Sequence, residues 1–299
     1  MEDRERLFIL QNAKFDLRFF LALGIDIKNV YDTLLAECVL TTGIEDRELG
    51  LDGLALKYCN RILDKSIRGN IHKEGLSDRV IKYCADDVTY LNEIRIAQLR
   101  EIERLELQEV LKLENEVVRV FAKMEYTGVK INQSKWLEVS NLTENTVLNL
   151  EKELDEFILT DSKLSKFRPK IIQTNLFGYE ERQININWSS NQQKLQIIKS
   201  LGINIDSVGD RELQRNKRQH PLIPKLIDYN KFAKLATAFG KSFLNFIEPS
   251  TQRVHYNIWQ ILSTGRISVS EPNLNQIPSK GELGKTIRSC FIPREGSVS

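Results

Sequence analysis

From Ser77 to Phe157 the chain holds a helical spacing of apolar residues that is clearly divided once, at Gly128-Val129-Lys130-Ile131. So long an amphipathic stretch predicts long helices through the middle of the protein. Ser77 stands where an N-cap is needed, predicting a helix from there past Leu91, and the pattern stays helical to about Lys123. A second long helix is predicted over residues 134–157. Ahead of this region, Leu7-Phe8-Ile9-Leu10 reads as a short buried strand, followed by a helix from near Ala13 and an extended piece at residues 25–30. Behind it, residues 160–190 are polar and irregular. Trp188-Ser189-Ser190 then leads into another helix, and residues 211–220 read as a charged connection closed by Pro221.

A length of 299 residues predicts about two domains, and 41% hydrophobic residues are enough for their cores. The longest apolar run, residues 19–25, is too short to cross a membrane, so no membrane partner is expected. The first six residues lack the apolar core of a signal peptide. Cys38, Cys59, Cys84 and Cys290 form no Cys-x-x-Cys pair and no cluster with His72, His220 or His255, so buried free thiols in a reducing cytoplasm are expected. The net charge of +2 conceals an asymmetry: residues 161–250 carry 15 Lys/Arg against 8 Asp/Glu, and the remainder 28 against 33. A surface that tracks phosphates needs such a basic segment, and an ordinary solvated face also accounts for it.

In the helix that starts at Ser77, Val80, Cys84, Leu91 and Ile94 share one stripe, and Asp87 falls on the same stripe with Tyr83 one turn earlier. A carboxylate facing a core is costly unless it is paired or binds a metal. Two accounts therefore stand for Asp87: a salt bridge to a neighbouring Lys or Arg, or a metal site. Asp16, just after the first strand, is a second carboxylate; in the first turn of a helix the macrodipole alone would favour it.

Taken together, Asn12-x-x-Phe15-Asp16 and Tyr83-Cys84-Ala85-Asp86-Asp87-Val88 resemble the second and third motifs of the DEDD 3′–5′ exonucleases. Val30-Tyr31-Asp32-Thr33 and Leu51-Asp52-Gly53-Leu54-Ala55 lie at family landmarks of mainly structural use. The resemblance implies two Mg²⁺ ions, Asp16 and Asp87 as metal ligands, and Asp16, Tyr83 and Asp87 as catalytic residues acting on a single-stranded DNA 3′ end. Two aspartates alone are a poor cage for octahedral Mg²⁺. The family's first motif, Asp-x-Glu, belongs well ahead of Asp16, and Asp3-Arg4-Glu5 stands too close to it to serve. Little or no exonuclease activity is expected of this chain alone.

The carboxy-terminal two thirds resemble family A (Pol I-like) DNA polymerases. Residues 113–131 resemble the start of the polymerase region, Asn187-Trp188-Ser189-Ser190-Asn191-Gln192-Gln193 a turn written N-x-S-S-x-x-Q, and residues 221–235 a helix returning toward the palm. The block Thr264-Gly265-Arg266-Ile267-Ser268, Pro272-Asn273-Leu274-Asn275-Gln276-Ile277-Pro278 and Arg288-Ser289-Cys290-Phe291-Ile292-Pro293 resembles the stretch that leads into the palm.

By resemblance, Arg266 reaches the minor groove near a primer terminus, Asn273 and Gln276 contact groove or backbone, and Lys280 meets a template phosphate. The family more often has Gln-Asn where this chain has Asn275-Gln276, and Arg where it has Lys280. The implied fold is α/β, a partial ribonuclease H-like DEDD exonuclease fold over residues 1–104. A mainly α thumb over residues 105–250 follows, then the beginning of an α+β palm over residues 251–299. The first catalytic aspartate of the palm is expected beyond Ser299, so no polymerisation is expected from this chain alone. The partners implied are primer–template DNA, dNTP only in the complete enzyme, and a complementary polymerase chain if the enzyme is split. Alternatives are a ribonuclease D-like exonuclease with a helical tail, or a non-catalytic DNA-binding remnant.

Overall fold

The computed structural model describes residues 6–66, 69, 71–168, 173–174, 180–181, 184, 186–278 and 280–293. It divides into two compact units, Met1–Lys130 with Phe246–Ile277, and Ile131–Asn245 with Pro278–Ser299. The chain begins with β1 (Phe8–Leu10), α1 (Ala13–Ala22), β2 (Val30–Asp32), α2 (Thr33–Leu40), α3 (Leu51–Cys59), α4 (Ile71–Glu74), α5 (Asp78–Thr89), α6 (Leu91–Arg104) and α7 (Gln108–Thr127). After β3 (Lys130–Ile131) come α8 (Gln133–Thr160), β4 (Gln173–Thr174), β5 (Glu180–Glu181), α9 (Asn191–Ser200), α10 (Asp210–Asn216) and α11 (Leu222–Phe239). The strands β6 (Ile247–Glu248), β7 (Arg253–Val254), β8 (Asn257–Trp259) and β9 (Ser268–Ser270) return to the first unit, and α12 (Gly281–Arg288) and β10 (Phe291–Ile292) belong to the second.

In the first unit β1 and β2 pair in parallel, Phe8 opposite Val30 and Leu10 opposite Asp32, with α1 as the crossover that parallel strands require. One carboxylate organises the ends of this motif. Asp32 is buried and accepts the backbone N–H groups of Asn12 (3.0 Å), Ala13 (2.8 Å) and Leu34 (2.9 Å), so it caps the starts of both α1 and α2. Asn12 takes a left-handed conformation, φ 59°, to bring its N–H there. Leu17, Ile27, Tyr31, Leu35, Val118 and Ile261 are among the residues of the core beneath. Because α7 contributes Leu111, Val118 and Ala122 to that core, it stays with the amino-terminal part, and the unit limits differ from the expected domain limits at residues 104 and 250.

In the second unit α8, α9 and α11 bury Leu154, Ile158, Ile197, Ile198, Leu226 and Tyr229. At the start of α8, Trp136 stacks on Phe243 with centroids 4.3 Å apart and donates its indole N–H to the Gly240 carbonyl at 3.2 Å.

Several expectations need correction. Ser77 does cap α5, accepting the Val80 N–H at 3.3 Å, but the helix stops at Thr89 and a new one starts at Leu91. A break at Tyr90 resets the helical phase, so the stripe from Val80 to Ile94 is not one face: Leu91 and Ile94 are buried on α6, whereas α5 buries only Val80. Cys84 is therefore exposed and Cys59 half-buried, and only Cys38 and Cys290 are the buried thiols expected. The helical run is interrupted again before α7, where Glu106 turns left-handed (φ 56°). The stretch expected as a connection at residues 211–220 instead carries most of α10, with acidic residues in its first turn and Leu213 fully buried beneath it. The extended piece expected at residues 25–30 becomes a strand only from Val30, and Leu7 falls outside β1 and is exposed.

Candidate nucleic-acid interface

Asp16 sits in the first turn of α1, half-buried, and burial raises its carboxyl above the ordinary carboxylate range. Asp87 sits on α5 and accepts Lys65 Nζ at 2.8 Å, the two side chains 33% and 25% exposed. The same ammonium stands 5.5 Å from the centroid of the Tyr83 ring. Of the two accounts open for Asp87, the salt bridge is the one found. Among the described residues no three His, Cys, Asp or Glu side chains are grouped to hold a metal ion. Mg²⁺, which the exonuclease resemblance implies, is therefore not fitted by the described residues: Asp87 is already neutralised, and octahedral coordination needs more oxygens than are gathered there. Asp3 and Glu5 lie outside the described residues.

The residues expected to meet DNA are differently placed. β8 and β9 form an antiparallel pair, Ile258 opposite Val269 and Trp259 opposite Ser268. Between them the chain turns tightly: Gly265 N–H donates to the Leu262 carbonyl and Leu262 N–H to the Arg266 carbonyl, each at 2.9 Å. Gly265 has φ +73°, which a side chain would strain. Arg266 follows it, exposed, with no hydrogen bond or ion pair from its guanidinium among the described residues. Past β9, Asn273 spends one acceptor on its own turn, taking the Asn275 N–H at 3.1 Å, and Gln276 ends that turn exposed. Lys280 is exposed ahead of α12 and belongs to the second unit, whereas Arg266, Asn273 and Gln276 belong to the first.

In the second unit the N-x-S-S-x-x-Q turn closes on itself. Asn187 Oδ1 accepts the Ser189 N–H at 2.9 Å, Ser190 Oγ accepts the Gln193 N–H at 3.4 Å, and Gln193 Oε1 accepts the Asn187 N–H at 2.8 Å. This is a capping arrangement for α9, and it accounts for three of the motif's residues without a ligand. Lys194, one residue on, is buried, donates to Asn230 Oδ1 (2.7 Å) and lies beside the Tyr229 ring; burial and Lys234 hold its ammonium below the usual lysine range.

One residue that bears on the hairpin was missed from sequence. Glu125, near the end of α7, is fully buried and accepts Lys14 Nζ (2.5 Å) and the Ile258 N–H (2.5 Å), with Arg18 Nη1 3.2 Å from its other oxygen. The signal was present: Val118, Ala122 and Glu125 lie on one helical stripe, so a carboxylate faces a core there as Asp87 was expected to.

Residues 143–299 match DNA polymerase family A and residues 1–103 match a 3′–5′ exonuclease family. The chain is 29% identical over 303 residues to DNA polymerase I of Synechocystis sp., covering 96% of this chain and 28% of that protein. It is 26% identical over 311 residues to DNA polymerase I of Rhizobium leguminosarum, covering 99% and 28%. It therefore spans under a third of the length of these relatives. In structure it resembles the POL domain of Pol1 from M. smegmatis, solved in complex with DNA primer–template and dNTP, with a TM-score of 0.72 at 22% identity over 99% of this chain and 47% of that one. The match over residues 143–299 does not favour a ribonuclease D-like protein with an unrelated helical tail. With both of its motif regions matched, and more than half of its residues matched to the polymerase family itself, the chain belongs to DNA polymerase family A.

Proposed function

We propose that this chain serves a DNA-directed DNA polymerase as a grip on primer–template DNA, with Arg266 entering the minor groove and Asn273 and Gln276 beside it. In this reading residues 1–104 keep a ribonuclease H-like exonuclease fold without hydrolysing DNA, residues 105–250 are thumb, and residues 251–299 open the palm. Nucleotidyl transfer, dNTP and divalent metal belong to the complete enzyme, as does editing of a single-stranded 3′ end. The observation that supports the proposal is Arg266: an exposed guanidinium with no hydrogen bond or ion pair among the described residues, on a turn whose backbone is fixed by its own hydrogen bonds. A minor-groove contact of that kind reads the acceptors common to all base pairs and so suits a general polymerase.

The test is fluorescence anisotropy of a labelled primer–template over a salt series. Binding is expected to weaken steeply with salt, as counterion release requires. Arg266→Ala is expected to weaken it roughly tenfold, the size of one charged hydrogen bond. Unchanged affinity in Arg266→Ala, or the absence of salt-sensitive binding, would overturn the proposal.

A further inference from the structure

The hairpin that carries Arg266 is braced from outside at several backbone positions, all by residues of its own unit. Glu125 takes the N–H of Ile258 on β8, and Lys14 Nζ donates to the carbonyl of the same residue. Further along, Gln260 Nε2 donates to the Glu114 carbonyl at 2.9 Å, Arg47 Nη2 to the Ile261 carbonyl at 3.3 Å, and Gly43 N–H to the Ser263 carbonyl at 2.7 Å. His255 Nδ1, ahead of β8, donates to the Glu125 carbonyl at 2.8 Å. At Ile258, Ile261 and Ser263, backbone groups that would otherwise pair with water or a third strand are thus fixed by side chains and loops elsewhere in the first unit.

Among these braces only Glu125 is a fully buried charge. A carboxylate with no exposure is tolerable only while its partners stay in place. Two of them, Lys14 and Arg18, stand on α1, the helix that also bears Asp16, and the third is the β8 backbone. Moving α1 away from β8 would strand the carboxylate, so the two elements are held as one body.

We propose that Glu125, through Lys14 and Ile258, is a positioning residue for DNA contact by Arg266, and that the first unit, α1 and α7 above all, acts as the scaffold for that contact. The inference rests on Arg266 meeting DNA, as proposed above, and assigns that binding a determinant that touches no DNA itself.

A double-mutant cycle on the purified chain tests it. Glu125→Gln keeps the shape and an acceptor for Ile258 but removes the charge that Lys14 and Arg18 answer. It is expected to weaken primer–template binding roughly three- to tenfold, and less in an Arg266→Ala background because both changes remove the same contact. Full additivity, or wild-type affinity in a folded Glu125→Gln protein, would overturn the inference. Should Glu125→Gln fail to fold, Lys14→Met enters the same cycle with the same two outcomes. If Arg266→Ala alone leaves affinity unchanged, the DNA-contact reading fails, and amide exchange decides the positioning claim by itself. Faster exchange at residues 258–266 in Glu125→Gln or Lys14→Met would support it; unchanged exchange would sink it.

Discussion

Lys65 Nζ and Asp87 Oδ1 are 2.8 Å apart, so the carboxylate that the sequence marks for a metal ion is answered by an ammonium of the same chain. The pair is a third to a quarter exposed, which limits its contribution to stability to about 1 kcal/mol or less. Its consequence is chemical: a cation would have to displace Lys65 before it could use Asp87. With Mg²⁺, the purified chain is expected to release no nucleotides from 5′-labelled single-stranded DNA above background on a denaturing gel. Asp16→Ala and Asp87→Ala should match wild type. Digestion by wild type that disappears in Asp16→Ala would show that the site assembles after all.

Asp32 makes the stability of the first unit depend on pH. Burial pushes its carboxyl up to about 6 from the ordinary 3.8, against the opposing pull of the backbone N–H groups it caps. A folded pKa above the unfolded one means the folded state holds this proton more tightly. The group's contribution is therefore complete below pH 3.8 and is lost as pH rises through about 6. Asp32→Asn cannot titrate. Between pH 4 and 7 the urea stability of wild type relative to Asp32→Asn should fall by up to about 3 kcal/mol. A constant difference would show that the three N–H donors keep the carboxylate ionised throughout.

The turn ahead of α9 offers a cleaner local test. Ser190→Ala removes the side-chain acceptor for the Gln193 N–H and should cost about 1 kcal/mol in the second unit. Trp188, buried beside it with its indole N–H on Asp155 at 2.8 Å, gives a fluorescence signal for the unfolding transition. A stability loss with unchanged DNA affinity is expected, since the motif is spent on capping; a loss of DNA affinity without a loss of stability would assign it to the interface.

What could be read from the sequence was what a few neighbouring residues decide. Ser77 and Ser190 are caps because their hydroxyls meet N–H groups three residues on, and the glycine at 128 ends α7 because it alone accepts φ 61° there. Helix α8 was legible for the same reason, its periodicity running unbroken through its length. Asp87 was read correctly as needing a partner, but its face was not, because a single residue at Tyr90 separates two helices with different buried sides. Glu125 lay beyond reach in a different way. Its stripe was visible, yet its partners Lys14, Arg18 and Ile258 are more than a hundred positions away, and no local pattern joins them. Arg266 was singled out through family resemblance, and the bracing of its turn was not.

The first unit is also discontinuous, and this bears on how the chain is made. Ile261 is part of its core, and the Ile258 N–H is one of three partners of its buried carboxylate. Neither exists until residues 131–245 have been translated. Lys14 and Glu125 emerge early but cannot complete their cluster. The amino-terminal region cannot complete its core until the larger part of the second unit has been synthesised and residues 246–277 follow it.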